Sequence, residues 1–171
     1  MHAKIININN IPFPRQLEAE DCTEKIRAAL AVQCVKLQPK GGLEVPLLNL
    51  SVSLTTALRK ANLQRRVRLG LDEILEKLFA EKKGLAELQQ KTAAHQQERI
   101  SRLLLFSNDG TERLYRNIEH TLAEHSPRIF GCMLNVNGSE IGRIITGKNI
   151  AVKVILIEHK DAVSDILRAL V

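Results

Sequence analysis

The sequence predicts an α/β protein, a three-layer α/β/α sandwich with a small, mainly parallel or mixed sheet. The runs 102–106, 129–136 and 150–157 are short and apolar almost throughout, which is typical of strands covered on both faces. An amphipathic segment follows each run, so the chain from about residue 98 has the order βαβαβα. Matched turn and capping residues separate these elements.

The predicted helices of this C-terminal block each begin at a residue that can cap a helix. Asp109 and Glu112 form a capping-box pattern before the first helix. Asn137 begins a short helix that Gly147 ends, and Asp161 begins the last helix. The local signals therefore agree with the strand assignments on either side of them.

The chain before this block is predicted to be mostly helical. A short strand is expected at 4–8, and a helix at 22–37 behind a capping-box pattern formed by Asp21 and Glu24. A further helix begins at Ser51 or Ser53 and continues into a basic stretch. We divide the chain into an N-terminal region at 1–60, a basic helical segment and arm at 61–97, and an α/β domain at 98–171.

Composition favours polyanionic partners over several other classes. The formal net charge is +6, and Lys and Arg side chains gain free energy by displacing counterions from phosphates. With four Phe, one Tyr and no Trp, a platform that stacks several bases is not expected. No apolar run is long enough for a membrane span, and no signal peptide pattern is seen, so a cytoplasmic location is expected.

The cysteine and histidine residues predict neither a metal site nor a disulfide framework. The three cysteines form no CxxC pair, and Cys132 falls within a predicted buried strand. His120 and His125 are five residues apart, which suits no pair of ligands on one helix face. We identify no catalytic residue and no cofactor site.

Two segments combine glycine with basic residues at the start of a helix, as a phosphate-binding junction requires. The first spans 65–73 and the second spans 137–149. The candidate RNA contacts are Arg65, Arg66, Arg68, Gly70, Asp72, Gly138, Glu140, Gly142, Arg143 and Lys148. Each segment is also compatible with an ordinary capped helix.

Segment 138–157 resembles the closing part of the L-seven-Ae/L-thirty-e ribosomal protein superfamily, which has a short LGxxxG-type helix, a strand and a last helix. Segment 102–109 is similar to the family's strand that ends in an acidic turn. Segment 68–77 resembles its Gly-x-Asn-Glu helix start, which meets kink-turn RNA in such proteins.

The resemblance covers roughly 65–171 and implies an α/β/α fold and a non-enzymatic role in binding structured RNA or within a ribonucleoprotein. The sequence departs from the family at Asp72, where kink-turn binders have Asn. Extra residues around 84–98 also separate that helix from the next strand.

Two other functions remain open. The helices within 51–97 could pair with a second copy or a partner helix, and the leucines of that predicted seam are Leu71, Leu75, Leu78 and Leu85. A third alternative is a small nucleotide-binding or enzymatic domain, with its ligand at the strand-end turn 107–110.

Overall fold

The structure is a computed structural model that describes residues 7–40, 42–92 and 98–171. Over these ranges the chain forms seven α-helices and one six-stranded mixed sheet. The α/β class and the layered architecture predicted from the sequence are confirmed. The strand predicted at 4–8 lies outside the described residues except for its end, where a 3₁₀ turn spans Ile8–Asn10.

The elements follow one another along the chain with short connections. In order they are α1 Arg15–Ala19, α2 Thr23–Ala31, β1 Cys34–Lys36, β2 Glu44–Leu48, α3 Val52–Leu63, β3 Val67–Leu69, α4 Leu71–Thr92, β4 Arg102–Phe106, α5 Glu112–His125, β5 Ile129–Leu134, α6 Gly138–Thr146, β6 Val154–Ile157 and α7 Lys160–Arg168.

The strand order across the sheet is β1-β2-β5-β4-β6-β3. Strands β2, β5 and β4 are parallel to one another, whereas β6 is antiparallel to both β4 and β3, and β1 is antiparallel to β2. Strands β2, β3, β4 and β5 therefore all end at one side of the sheet, which we call the carboxyl edge. The opposite side, where β6 ends, is the amino edge.

Alternating strand residues separate the hydrophobic core into two layers, as the two-residue repeat of a strand requires. In the first core layer, Leu103 and Leu105 pack toward α2, α3, α6 and α7. In the second core layer, on the other face of the sheet, Leu104 and Phe106 pack toward α4 and α5. All four side chains are buried, which accounts for the apolar run that identified this strand.

The predicted helix at 22–37 is wrong in its second half. Helix α2 ends at Ala31, and Cys34–Lys36 forms β1, which pairs with β2. Asp21 does not cap this helix, because the N-cap is Cys22 and Asp21 itself has a positive φ of 56°. The apolar residues within 26–37 recur at helical spacing, so the sequence pattern predicted a helix there. Strand β1 forms because it pairs with β2, which comes later in the chain.

The basic stretch was also expected to continue the helix that begins at Ser51. The side chain of Ser51 does cap α3, accepting a hydrogen bond from the Leu54 N–H at 3.0 Å. Helix α3 nevertheless ends at Leu63, and Val67–Leu69 forms the edge strand β3.

Two of the expected C-terminal caps are confirmed and two are reassigned. Asn137 caps α6, and Gly147 ends that helix with a φ of 72°. Thr111 caps α5 instead of Asp109. The imidazole of His159 caps α7 by accepting a hydrogen bond from the backbone N–H of Asp161.

The sheet takes strands from each of the three ranges into which the sequence was divided. Strands β1 and β2 come from 1–60 and β3 from 61–97, and they join β4, β5 and β6. The first core layer runs from Ile11 to Leu167. Within the described ranges, no helix is long and apolar enough to cross a membrane.

Candidate nucleic-acid interface

The turn between α3 and β3 presents Arg65 and Arg66 at the amino edge. The Arg65 N–H donates to the Asn62 carbonyl at 2.9 Å, and the Arg66 N–H donates to the Ala61 carbonyl at 2.9 Å. This pair of bonds is a Schellman motif, whose left-handed position is usually glycine. Arg65 occupies that position with a φ of 58°.

Hydrogen bonding to β6 then fixes this turn on the sheet. The Arg66 carbonyl accepts from the Glu158 N–H at 2.9 Å. Arg65 is exposed and Arg66 is half-buried. Neither guanidinium has an ion-pair or hydrogen-bond partner within the described ranges.

Arg68 differs from Arg65 and Arg66 because its guanidinium forms an ion pair within the protein. Its Nε donates to Oε2 of Glu158 at 2.8 Å, and its Nη2 donates to Oε1 of the same carboxylate at 3.4 Å. The hydrogen bonds to Glu158 raise the pKa of the Arg68 guanidinium despite its partial desolvation. Arg68 therefore joins β3 to β6, and its charge is already neutralised.

Lys148 lies on the same side of the molecule as Arg65. The Asn62 side-chain amide donates to the Ile145 carbonyl at 2.8 Å, which brings the C-terminal ends of α3 and α6 together. Arg65 comes three residues after Asn62, and Lys148 comes three residues after Ile145, so both cations lie near this contact. Lys148 is exposed. Cations are favourable there because the C-terminal end of a helix carries partial negative charge.

Lys160 is a further cation at this edge that the sequence analysis missed. It is the exposed first residue of α7, two residues after Glu158, whose N–H is bound to Arg66. An isolated lysine after a strand carries no signal by itself. Its position beside the arginines follows only from the pairing of β3 with β6. We call Arg65, Arg66, Lys148 and Lys160 the basic edge.

Gly70 and Asp72 lie at the opposite end of β3. The Gly70 N–H donates to the Val154 carbonyl at 3.1 Å, next to the start of β6. Gly70 has a φ of 85°, so glycine is favoured there by backbone conformation. Asp72 is exposed in the first turn of α4, where a carboxylate stabilises the helix dipole.

The glycines of α6 serve packing within the protein. Gly138 and Gly142 are both buried. A Cβ on Gly142 would lie 1.5 Å from the Ile150 carbonyl oxygen, and one on Gly138 would lie 3.2 Å from the Val152 oxygen. The chain leading into β6 therefore packs against these two glycines, which the sequence had predicted to contact RNA.

The exposed face of α6 carries the remaining candidates, Glu140 and Arg143. The two side chains form an ion pair at 2.9 Å. The ten predicted contacts thus do not form one surface. Arg65, Arg66 and Lys148 lie at the basic edge, and the others are paired, buried or displaced from that edge.

The strand-end turn at 107–110 holds an internal anion at the N-terminus of α6. Oδ1 of Asp109 accepts the Gly138 N–H at 3.0 Å, and Oδ2 lies 2.8 Å from Nζ of Lys153. Burial opposes ionisation of Asp109, but Lys153 and the hydrogen bonds outweigh it and hold the pKa below its usual range. The carboxylate takes the position at which a helix N-terminus would bind phosphate.

The buried thiol of Cys132 and the potential metal ligands are two further features of the described chain. Cys132 is buried in β5 as predicted, and burial raises the pKa of its thiol. Over the described parts of the chain, no group of three or more His, Cys, Asp or Glu side chains could hold a metal ion.

Comparison with known proteins yields a fold likeness only. No protein-family model matches the chain, and no curated protein is significantly similar to it. Among solved structures, the chain is similar to a protein of unknown function from Bacillus halodurans C, with 12% identity and a TM-score of 0.50. The likeness covers 70% of this chain and 98% of that one.

Proposed function

We propose that the protein binds structured RNA through the basic edge. Arg65, Lys148 and Lys160 are exposed there and Arg66 is half-buried, and none of the four side chains has a described ion-pair partner. Cations of this kind displace counterions from a phosphate backbone, which supplies most of the free energy of sequence-independent binding. The net charge of +6 adds long-range attraction.

The observation that carries the proposal is the arginine in the Schellman motif. A non-glycine residue in the left-handed region costs about 1 kcal/mol, so glycine would make the turn more stable. Arg65 nevertheless adopts this conformation. Backbone hydrogen bonds to Asn62 and Glu158 hold the turn in place. Because this turn is fixed, binding to phosphate costs the Arg65 side chain rotamer entropy but little backbone entropy.

The test uses two changes, of which Arg65→Gly has effects of opposite sign on stability and on binding. Arg65→Gly is expected to raise the melting temperature by about 2–4 °C, because it relieves roughly 1 kcal/mol of strain. The same change is expected to weaken binding to a structured RNA hairpin, measured by fluorescence anisotropy at low salt. Arg66→Ala should weaken binding further with little change in stability.

A matched control removes the same charge elsewhere. Arg15 and Arg113 are exposed cations on α1 and α5. The double change Arg15→Ala and Arg113→Ala should leave RNA affinity within about twofold of the parent, since it removes no phosphate contact. If the control weakens binding as much as the Arg65 and Arg66 changes, the basic edge is not the binding surface.

A second candidate function is self-association through the outer face of α4. Leu75 and Phe79, one helical turn apart, are 37% and 70% exposed, and adjacent exposed apolar side chains on one helix are typical of an interaction surface. Leu85 is 36% exposed but follows the buried Leu78 by seven residues, so it lies on the inner face of α4. The predicted seam is not reproduced as a whole, because Leu78 is 2% exposed and packs with Ile74 in the second core layer. Phe79 takes its place on the outer face.

The charges of α4 favour a second copy in antiparallel orientation as the partner. In its first two turns, Asp72, Glu73 and Glu76 outnumber Lys77. In its middle, Glu81 is paired with Arg102, which leaves Lys82 and Lys83 in excess. In an antiparallel pair, the acidic turns of one helix would face the basic middle of the other. Opposite charges across such a helix pair select its orientation.

A further inference from the structure

The parallel pairing of β2 with β5 is limited to one end of the two strands. Their register joins Leu47 to Met133 and Leu48 to Leu134. Pro46 has no N–H to donate to a ladder, and it lies in β2 directly before these pairs. Toward the amino edge the two strands are therefore separated.

The helices on this face also leave part of the sheet uncovered. Helix α4 packs on β3 and β6, and α5 packs on β5. Near the hairpin formed by β1 and β2, Leu43 and Leu47 are only partly buried against the second core layer. A cavity of about 380 Å³ lies between the hairpin, α5 and the separated part of β5.

The walls of this cavity are largely apolar. They include Leu43, Val45, Pro46, Leu122, Ala123 and Ile129. Its size falls within the range of small-molecule sites in proteins, which are mostly apolar with a few placed polar groups. The titratable groups of the lining are two carboxylates, Glu44 and Glu119, one guanidinium, Arg116, and the imidazole of His120.

Among the described polar groups of the lining, Glu119 has an unpaired carboxylate oxygen. Its Oε1 atom is buried and has no hydrogen-bond partner among the described residues. Burial raises the pKa of this carboxyl, with no compensating donor from the protein. A buried acceptor without a donor is unfavourable. The residue as a whole is half-buried and lines the cavity, so a cationic group bound beside this carboxylate would stabilise its ionised form.

We propose that this cavity binds a small molecule with an apolar body, such as a single ring on a short chain, and an amine that pairs with Glu119. An amine is favoured over an acid because the two lining carboxylates outnumber the single guanidinium. The body would contact Leu122, Ala123 and Ile129. This site lies apart from the basic edge, so the two proposals succeed or fail separately.

The test compares two probes that share one body and differ in charge. 4-Phenylbutylamine and 4-phenylbutyrate are titrated into the full-length protein at pH 7.5, and binding is followed through the methyl NMR signals of Leu122 and Ile129. The amine should shift these signals saturably and bind about tenfold or more tightly than the carboxylate, as expected for one charge-assisted hydrogen bond. Equal or reversed affinities, or no saturable shift with either probe, would overturn the proposal.

Variants then separate the role of Glu119 from that of the cavity. Glu119→Leu should remove the preference for the amine, whereas Glu112→Leu, a matched change of an exposed carboxylate on the same helix, should keep it. Ala123→Leu should fill the cavity and weaken binding of both probes. Retention of the amine preference in Glu119→Leu would show that another group recognises the amine and would refute the assignment.

Discussion

Gly142→Ala is a small substitution with a large predicted effect. The new Cβ would lie 1.5 Å from the Ile150 carbonyl oxygen and 2.7 Å from its carbon. Carbon and carbonyl oxygen atoms approach to about 3.3 Å at closest, so α6 or the chain before β6 would have to move by almost 2 Å. Neither side of this contact is a flexible side chain, because Ile150 contributes backbone atoms.

The displacement would disturb both packing and hydrogen bonding near the start of β6. The Val152 N–H donates to the Gly138 carbonyl at 2.9 Å, beside the same contact. Overpacking of a rigid site costs about 1–3 kcal/mol or more, and a lost hydrogen bond adds about 1 kcal/mol. We expect a fall in melting temperature of about 5–15 °C, measured by circular dichroism.

Gly84→Ala is the matched control for that experiment. Gly84 lies in α4, and a Cβ there would meet no atom within 4 Å. Alanine is the better helix former by about 1 kcal/mol, so this variant should melt at or slightly above the parent temperature. A Gly142→Ala protein that melts within 2 °C of the parent would refute the packing argument for this glycine.

Two further predictions concern the strand-end turn and α4. The lowered pKa of Asp109 stabilises the fold above the unfolded-state value, and this contribution is lost as pH falls through the folded value. Asp109→Asn should therefore flatten the fall in urea midpoint below about pH 4, and parallel curves for the two proteins would contradict the role of its pair with Lys153. Phe79→Gln should lower the apparent mass in light scattering without loss of stability, whereas Leu78→Gln should destabilise the fold by about 2–4 kcal/mol. A parent protein that is monomeric at all concentrations would exclude self-association through α4.

The sequence was sufficient for elements whose signals are local. Strand β4 was predicted with its observed bounds, because its apolar run is continuous and a turn follows it. Ser51, Asn137 and Gly147 were identified because a helix end depends on residues within one turn of it.

Elements that depend on distant partners were not predictable in this way. Strand β3 has three residues and exists through its pairing with β6, far along the chain. The pairing of β3 with β6 also determines which arginines are free to bind a ligand. Arg68 forms an ion pair with Glu158, whereas Arg65 and Arg66 do not. The role of Asp109 was missed for the same reason, because its hydrogen-bond donor, Gly138, belongs to another helix.

The salt dependence of RNA binding tests the central proposal most directly. If all four cations of the basic edge contact phosphates, log affinity should fall with log salt with a slope of about −3 to −4. Arg65→Ala combined with Arg66→Ala should reduce the magnitude of that slope by about two units. The Arg15→Ala and Arg113→Ala control should leave it unchanged. A parent protein without measurable RNA affinity at low salt, or a slope unaffected by loss of Arg65 and Arg66, would contradict RNA binding at the basic edge.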